Sequence, residues 1–383
     1  MGALSGTHAG AADDGRRMDT ALALASRGRG RTAPNPNVGC VIVRDGRVIG
    51  RGWTQPGGRP HAEAMALAEA GDGARGATAY VTLEPCAHRS PRGPACSTLL
   101  VAAGVARVVV AMSDPDPRTD GTGLARLRDA GIAVTIGVRA AEAAASMAGF
   151  LSRLRLGRPF VTLKLATSLD GCIALADGTS RWITGPEARA HAHLERSRHE
   201  AILVGRGTVD ADAPRLDVRL AGLEARSPVR VLLTRGGDGA DVAQEDLIAS
   251  VRHPSGSGDL VEAHTDGAAK DPSVRWGDGH GGYDRVGDWL TIAAPEAIAG
   301  LAGVDHLLVE GGAQAAAAFL RAGLVDRLLL YRAPILIGAG MPALGDIGLG
   351  DLALAHGRWQ LADARQLGSD RLEVYGHGPC LPA

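Results

Sequence analysis

The chain has little of several things, and each shortage narrows its class. Cysteine occurs five times in 383 residues, at 40, 86, 96, 172 and 380. An odd, sparse set excludes a disulfide framework and fits a reducing cytoplasm. No run approaches the roughly 20 apolar residues that a membrane helix needs. The first 15 residues are small and polar with no apolar core, so no signal peptide is expected. Charge of one sign is absent: 41 basic and 42 acidic residues leave a net charge of −1. That balance argues against a nucleic-acid-binding surface, which carries a basic excess or stripe. Glycine is abundant, yet no Gly-x-Gly-x-x-Gly follows a strand, so a Rossmann site is not supported. Aromatics make up only 3%. Beside so much alanine and glycine, this reads as coding bias rather than function.

What is present suffices for two cores. The chain is 45% hydrophobic and 22% charged, and its length predicts two domains. Residues 1–13 are expected as a disordered tail. From there, periodicity predicts helices over 14–27, 61–70, 96–103, 123–130 and 140–156. Strands are predicted over 38–43, 48–53, 77–83, 107–111 and 134–137, with Asp45-Gly46 as a hairpin turn. This alternation is that of an α/β layered domain over 14–148. A linker is placed at 149–158, near Gly157-Arg158-Pro159. A second α/β domain over 159–383 is expected to hold strands at 160–166, 201–204, 229–234, 289–292, 306–310 and 327–333. Its helices are predicted over 186–197 and 315–322, with a closing hairpin at 359–374. The stretch 236–287 reads as surface loops with one short strand at 259–263.

The chemistry concentrates in His61-Ala62-Glu63, Glu84-Pro85-Cys86 and Cys96. One imidazole and two thiolates can hold zinc and leave a fourth position for water. Zinc lowers the pKa of such a water toward about 7. Glu63 then stands where it can take a proton from the water and deliver it to a ring nitrogen and a departing amine. That is the skeleton of a hydrolytic deaminase of a nitrogen heterocycle. Cys96 opens a helix, whose N-terminus favours a thiolate. A structural zinc site would supply four protein ligands and would have no use for Glu63.

Pro34-Asn35-Pro36-Asn37-Val38-Gly39-Cys40, His61-Ala62-Glu63 and Thr82-Leu83-Glu84-Pro85-Cys86 together resemble the riboflavin-biosynthesis deaminase–reductase family. The gap from Cys86 to Cys96 exceeds the Cys-x-x-Cys spacing usual in the wider cytidine-deaminase superfamily. It is one residue longer than this family's usual insert. The resemblance implies His61, Cys86 and Cys96 as zinc ligands and Glu63 as proton shuttle. Asn35 and His88 are implied substrate contacts, with turn formation the alternative role of Asn35. Either Arg89 or Arg92 would meet a substrate phosphate.

The second half carries Lys164 to Gly171, Ser180 to Gly185, Val204 to Val209, Asp212-Ala213-Pro214 and Glu310-Gly311-Gly312. These segments resemble the family's reductase domain, which has a dihydrofolate-reductase-like fold. The resemblance implies NADPH contacts at Ala166, Trp182, Thr208, Asp212, Arg235 and Gly312. It implies substrate contacts at Lys164, Ser180, Arg196, Leu216, Arg219 and Glu310. Guanidinium forks suit a sugar phosphate, and glycines at a helix start suit a pyrophosphate. The expectation is therefore a cytoplasmic, homo-oligomeric enzyme with two α/β domains. The first is a cytidine-deaminase-like α/β/α sandwich that binds zinc, and the second a dihydrofolate-reductase-like domain that uses NADPH. The substrate is a small pyrimidine ribosyl phosphate, with no nucleic-acid or membrane partner. Two rivals stay open: a nucleoside or tRNA deaminase with an accessory domain, and a non-catalytic zinc- and nucleotide-binding module.

Overall fold

In the computed structural model the chain forms two compact units, Met1–Gly157 and Arg158–Ala383. The structure describes residues 5–88, 92–234, 284–286 and 288–377.

In the first unit the elements run α1 (Ser5–Ala25), β1 (Gly39–Arg44), β2 (Arg47–Trp53), α2 (Ala62–Ala70), β3 (Thr78–Val81), α3 (Cys96–Ala103), β4 (Arg107–Val110), α4 (Thr122–Asp129), β5 (Ala133–Ile136), α5 (Ala140–Ser146) and α6 (Ala148–Leu156). The sheet order is β2-β1-β3-β4-β5. β1 is antiparallel to both neighbours, and β3, β4 and β5 are parallel. Asp45 and Gly46 both take positive φ, as a two-residue hairpin turn requires. Ile42, Val81, Val108 and Leu100 are fully buried between sheet and helices.

Glycine sets how close the helices lie. A Cβ on Gly39 would meet the Ala21 carbonyl oxygen at 1.9 Å, and one on Gly52 the Ala62 oxygen at 2.0 Å. Helices α1 and α2 therefore rest directly on the strand backbones. This contact seats the first turn of α2, which bears Glu63.

Three expectations are corrected here. Helix α1 begins at Ser5, so the region expected as a tail is helical from there. Alanine, at 9, 11 and 12, is the strongest helix former and favours the added turns. Residues 149–156 of the expected linker are the body of α6. The single helix expected over 140–156 breaks at Met147, whose φ of −103° and ψ of 21° leave the helical region.

In the second unit the elements run β6 (Phe160–Thr167), β7 (Cys172–Ala174), α7 (Pro186–Arg196), β8 (Ala201–Gly205), α8 (Arg206–Asp212), β9 (Val229–Leu233), β10 (Asp284–Val286), β11 (Trp289–Ile292), β12 (His306–Val309), α9 (Ala313–Arg321), β13 (Arg327–Arg332), β14 (Met341–Pro342), β15 (Trp359–Leu367) and β16 (Asp370–His377). The main sheet order is β10-β11-β9-β8-β12-β6-β13-β16-β15. Its centre, from β11 to β13, is parallel. The hairpin β15–β16 runs antiparallel at one edge. Leu163, Leu203, Leu307 and Phe319 anchor its core at zero exposure. The strand expected at 259–263 lies outside the described residues.

Candidate active sites

In the first unit three chain segments meet at the C-terminal end of β3. His61 caps α2, Cys86 follows β3 by five residues, and Cys96 starts α3. Their side-chain ligand atoms all lie within 4.8 Å of one another. The His61 Nδ1 is 3.3 Å from the Cys96 Sγ and 3.7 Å from the Cys86 Sγ. Tetrahedral N/S coordination implies ligand–ligand edges of roughly 3.5–3.8 Å, so these atoms already sit near zinc spacing. Both cysteines are buried and free. The hydrogen bond from the Cys96 thiol holds Cys86 down to about 4. Cys96, as the donor to that thiolate, is pushed well above the usual thiol range. The backbone N–H of Cys96 also points at the Cys86 Sγ, at 3.3 Å, so the start of α3 stabilises the anion. The donor set fits zinc.

Glu63 stands beside these ligands at 3% exposure. Burial pushes its carboxyl up to about 7, opposed by His61 and assisted by Cys86. A cleft of about 50 Å³ opens in front, lined by Asn35, His61, Glu63, Cys86, His88, Asp114, Asp116, Arg118 and Phe150 among others. The Asn35 Nδ2 and His88 Nδ1 are buried there with no hydrogen-bond partner. Buried polar nitrogens left unsatisfied at a cleft are available to a ligand.

Glu84 has a different task from its motif neighbours. Its Oε2 accepts from the backbone N–H groups of Asp114 and Gly121. Its Oε1 accepts from those of Gly123 and Leu124. It thereby ties β3 to the start of α4, while also bordering the cleft. Of the two loop arginines, Arg89 lies outside the described residues, and Arg92 donates to the Gly57 carbonyl. The sequence reading missed Asp114, Asp116 and Arg118. The Asp-Pro-Asp-Pro run after β4 was the available signal. Burial pushes Asp114 up to about 6, while the Arg118 guanidinium holds Asp116 below the usual carboxylate range.

In the second unit a cavity of about 1290 Å³ opens at the C-terminal ends of β6, β8 and β12. Ligands of parallel α/β sheets bind at that edge. Lys164, Ala166, Ser180, Trp182, Arg196, Thr208, Asp212, Arg219, Glu310 and Gly312 all line it. The pairing of Leu163 with Val309 sets Lys164 beside Glu310, and their charged groups are 3.9 Å apart. Gly312 takes φ of 53° at the start of α9, where an added Cβ would lie 3.0 Å from the Thr208 Oγ1. Only glycine leaves that helix start open to a ligand.

The structure bears on two of the residues expected here, Arg196 and Leu216. Arg196 grips Glu310 through two bonds of 2.7 and 2.8 Å, and its Nη1 donates to the Asp217 carbonyl. Burial pushes Glu310 up, but Arg196 and Lys164 outweigh it and hold the carboxyl down to about 2. Arg196 is thus a counter-charge inside the protein before it is a phosphate ligand. Leu216 does not line the cavity. It is 5% exposed and packs with Ile202, Val209, Leu232 and Trp289, because an apolar side chain gains more in that core than at a charged wall. Arg235 lies outside the described residues. Sequence reasoning also missed Arg189, whose guanidinium stacks 4.5 Å from the Trp182 ring, and His193.

Among the described residues, no helix is long and apolar enough to cross a membrane. Residues 12–112 match the cytidine and deoxycytidylate deaminase zinc-binding region, and residues 159–372 match the RibD C-terminal domain. The riboflavin biosynthesis protein RibD of Escherichia coli K12 is 41% identical over 383 residues, covering 95% of this chain and 97% of its own. That of Mycobacterium tuberculosis H37Rv is 38% identical, covering 93% and 96%. The solved Acinetobacter baumannii RibD superposes at a TM-score of 0.76 with 35% identity, over 96% of this chain and 99% of that one. A Thermotoga maritima protein, described as a diaminohydroxyphosphoribosylaminopyrimidine deaminase/5-amino-6-(5-phosphoribosylamino)uracil reductase, gives 0.76 at 31% identity, with the same coverages. These likenesses span both units, which sets aside an accessory second domain and a non-catalytic module. The chain belongs to the RibD family, and is a bifunctional deaminase and reductase of riboflavin biosynthesis with zinc and NADPH as its cofactors.

Proposed function

We propose that the first unit removes the 2-amino group of a diamino-hydroxy-phosphoribosylamino-pyrimidine as ammonia. The second unit then reduces the ribosyl group of the product to a ribityl chain. The observation that carries this is the meeting of His61, Cys86 and Cys96 at zinc spacing, beside a cleft that holds a buried Glu63 and two unpartnered polar nitrogens.

Zinc held by His61, Cys86 and Cys96 supplies the Lewis acidity that makes water a nucleophile at neutral pH. Glu63 would take one proton from the attacking water and give it to a ring nitrogen, then take the second from the hydroxyl of the tetrahedral carbon and give it to the departing amine. Burial of the Glu63 side chain disfavours its charged form, so a proton received there is held and passed on. Asn35 and His88 orient the pyrimidine through their buried nitrogens.

In the second unit NADPH supplies hydride to the ribosyl C1′. The open start of α9 at Gly312, with Thr208 and Asp212, receives the cofactor. Ala166 and Trp182 flank it. Lys164 protonates the sugar oxygen released as C1′ accepts hydride, and Glu310 holds Lys164 in place. Ser180 and Arg219 bind the sugar phosphate. The substrate is a free nucleotide rather than a nucleic acid, in keeping with the small cleft and the net charge of −1. Thiolate ligands fit a cytoplasmic enzyme. Leu336, Leu352 and Leu354, all more than half exposed, fit a homo-oligomer.

Removing zinc separates the two halves of the reading. Chelation should abolish ammonia release, zinc should restore it, and NADPH oxidation with the phosphoribosylamino-uracil should persist throughout. Ammonia release from metal-free protein would refute the deaminase assignment. Full reductase turnover by Lys164→Met would remove Lys164 from its role.

A further inference from the structure

The cavity of the second unit contains a histidine that neither the motifs nor the reaction above uses. His193 lies on α7, three residues before Arg196, and lines the cavity together with Arg196 and Arg219. Its Nδ1 is 3.1 Å from the Asp217 carbonyl oxygen. Its Nε2 faces the Arg219 guanidinium, 3.4 Å from Nε and 3.3 Å from Nη2. A guanidinium only donates, so Nε2 must be the acceptor, and the proton of the neutral ring then sits on Nδ1. That tautomer, assigned from the network, lets Nδ1–H donate to the Asp217 carbonyl and leaves the Arg219 backbone N–H, 3.3 Å from the same Nδ1, without that acceptor; the opposite tautomer would turn an Nε2–H against the guanidinium.

The same carbonyl accepts from the Arg196 Nη1 at 2.9 Å, and Arg196 forks the buried Glu310. A continuous set of contacts thus runs from Glu310 through Arg196, Asp217 and His193 to Arg219. Arg219 itself is half exposed, with its side chain at 52%, and stands on the segment between α8 and β9. The Asp217 carboxylate meets its Nε at only 3.6 Å. His193 is the link that fastens this arm to a helix. Burial and the flanking Arg196 and Arg219 charges hold its basicity below the usual imidazole value, consistent with an accepting Nε2.

We propose that His193 is a positioning residue for the reductase. Its Nε2 holds the Arg219 guanidinium at the cavity wall, oriented to receive the 5′-phosphate of the ribosylamino-pyrimidine. This rests on the reading that Arg219 binds that phosphate. Substrate binding, rather than hydride transfer, is what His193 would serve.

The test uses the full chain, NADPH and the phosphoribosylamino-uracil. His193→Ala should raise KM for that substrate about five- to tenfold, the worth of about one ordinary hydrogen bond, with kcat within about twofold. His193→Gln, which restores an acceptor at that reach, should recover most of the loss. Arg219→Ala should raise KM at least as much, and the double variant should be no worse than Arg219→Ala alone, as expected for coupled residues. Fluorescence titration of NADPH should give the wild-type Kd in every variant. An unchanged KM in Arg219→Ala would overturn the phosphate reading itself. A raised KM in Arg219→Ala with additive loss in the double variant would overturn the role of His193 alone. So would a weakened NADPH Kd in His193→Ala, or no recovery in His193→Gln.

Discussion

The two units reach catalysis by opposite constructions. The first builds a cleft of about 50 Å³ around three metal-capable side chains, and glycine contacts press α2 onto the sheet beneath it. The second builds a cavity of about 1290 Å³ around a buried ion pair and an open helix start. In the first, the protein's own side chains supply proton transfer and metal ligation. In the second, the reactive atom belongs to the cofactor, and the protein supplies charge and backbone shape. The contrast shows where each unit is fragile: the first at a proton-carrying atom, the second at an electrostatic balance.

The largest effect should come from Glu63→Gln. It removes the proposed proton carrier and leaves the His61, Cys86 and Cys96 side chains intact. Ammonia release should fall by about 10²–10⁴, while zinc content stays at one per chain and reductase turnover is unchanged.

Next comes the ion pair. Glu310→Gln leaves the Arg196 guanidinium buried without its counter-charge, which costs about 3–5 kcal/mol. Thermal unfolding of the second unit should drop accordingly. The Glu310 carboxyl is lowered from 4.5 to about 2. Its contribution is therefore complete above about pH 4.5 and is lost as pH falls toward 2. The gap between wild type and variant should narrow over that acid window. A gap independent of pH would show that the pair is not what stabilises this unit.

A packing change should follow. Gly52→Ala places a methyl 2.0 Å from the Ala62 oxygen and lifts α2, with Glu63, off β2. Overpacking of this kind costs about 1–3 kcal/mol, and ammonia release should fall about tenfold through kcat. The smallest effect belongs to Arg189→Met. It removes a stacked cation over the exposed Trp182 ring, worth about 0.5–1 kcal/mol, so NADPH should weaken about two- to fivefold. A larger loss would make Trp182 a principal cofactor contact rather than a flank.

The same contrast explains what could be read in the sequence. Zinc demands particular residue types at particular places, so His61, Cys86 and Cys96 stood out and meet in the fold. Glu84, inside the same motif, was opaque, because the N–H groups it binds lie 30 to 40 residues onward. In the second unit the resemblance brought most cavity residues together, but it could not tell surface from core. Leu216 sits in irregular backbone with φ of 55°, and its side chain packs inward. The pairing of Arg196 with Glu310 spans 114 residues and leaves no local pattern. Helix α8 was missed because Gly205-Arg206-Gly207 reads as a loop; its short helix forms where β8 delivers the chain to the cavity. His193 lacked a signal for the same reason: Arg219, the residue it holds, is 26 positions away.

The central claim, two separate chemistries in a fixed order, is tested most directly with the diamino-pyrimidine phosphate. It is supplied with and without NADPH to wild type and to Glu63→Gln, following ammonia and NADPH absorbance together. Wild type should release ammonia without NADPH, and should oxidise NADPH only as ammonia appears. Glu63→Gln should do neither, yet should oxidise NADPH at the wild-type rate when given the deaminated uracil. NADPH oxidation by Glu63→Gln on the diamino substrate, or ammonia release that requires NADPH, would contradict the account.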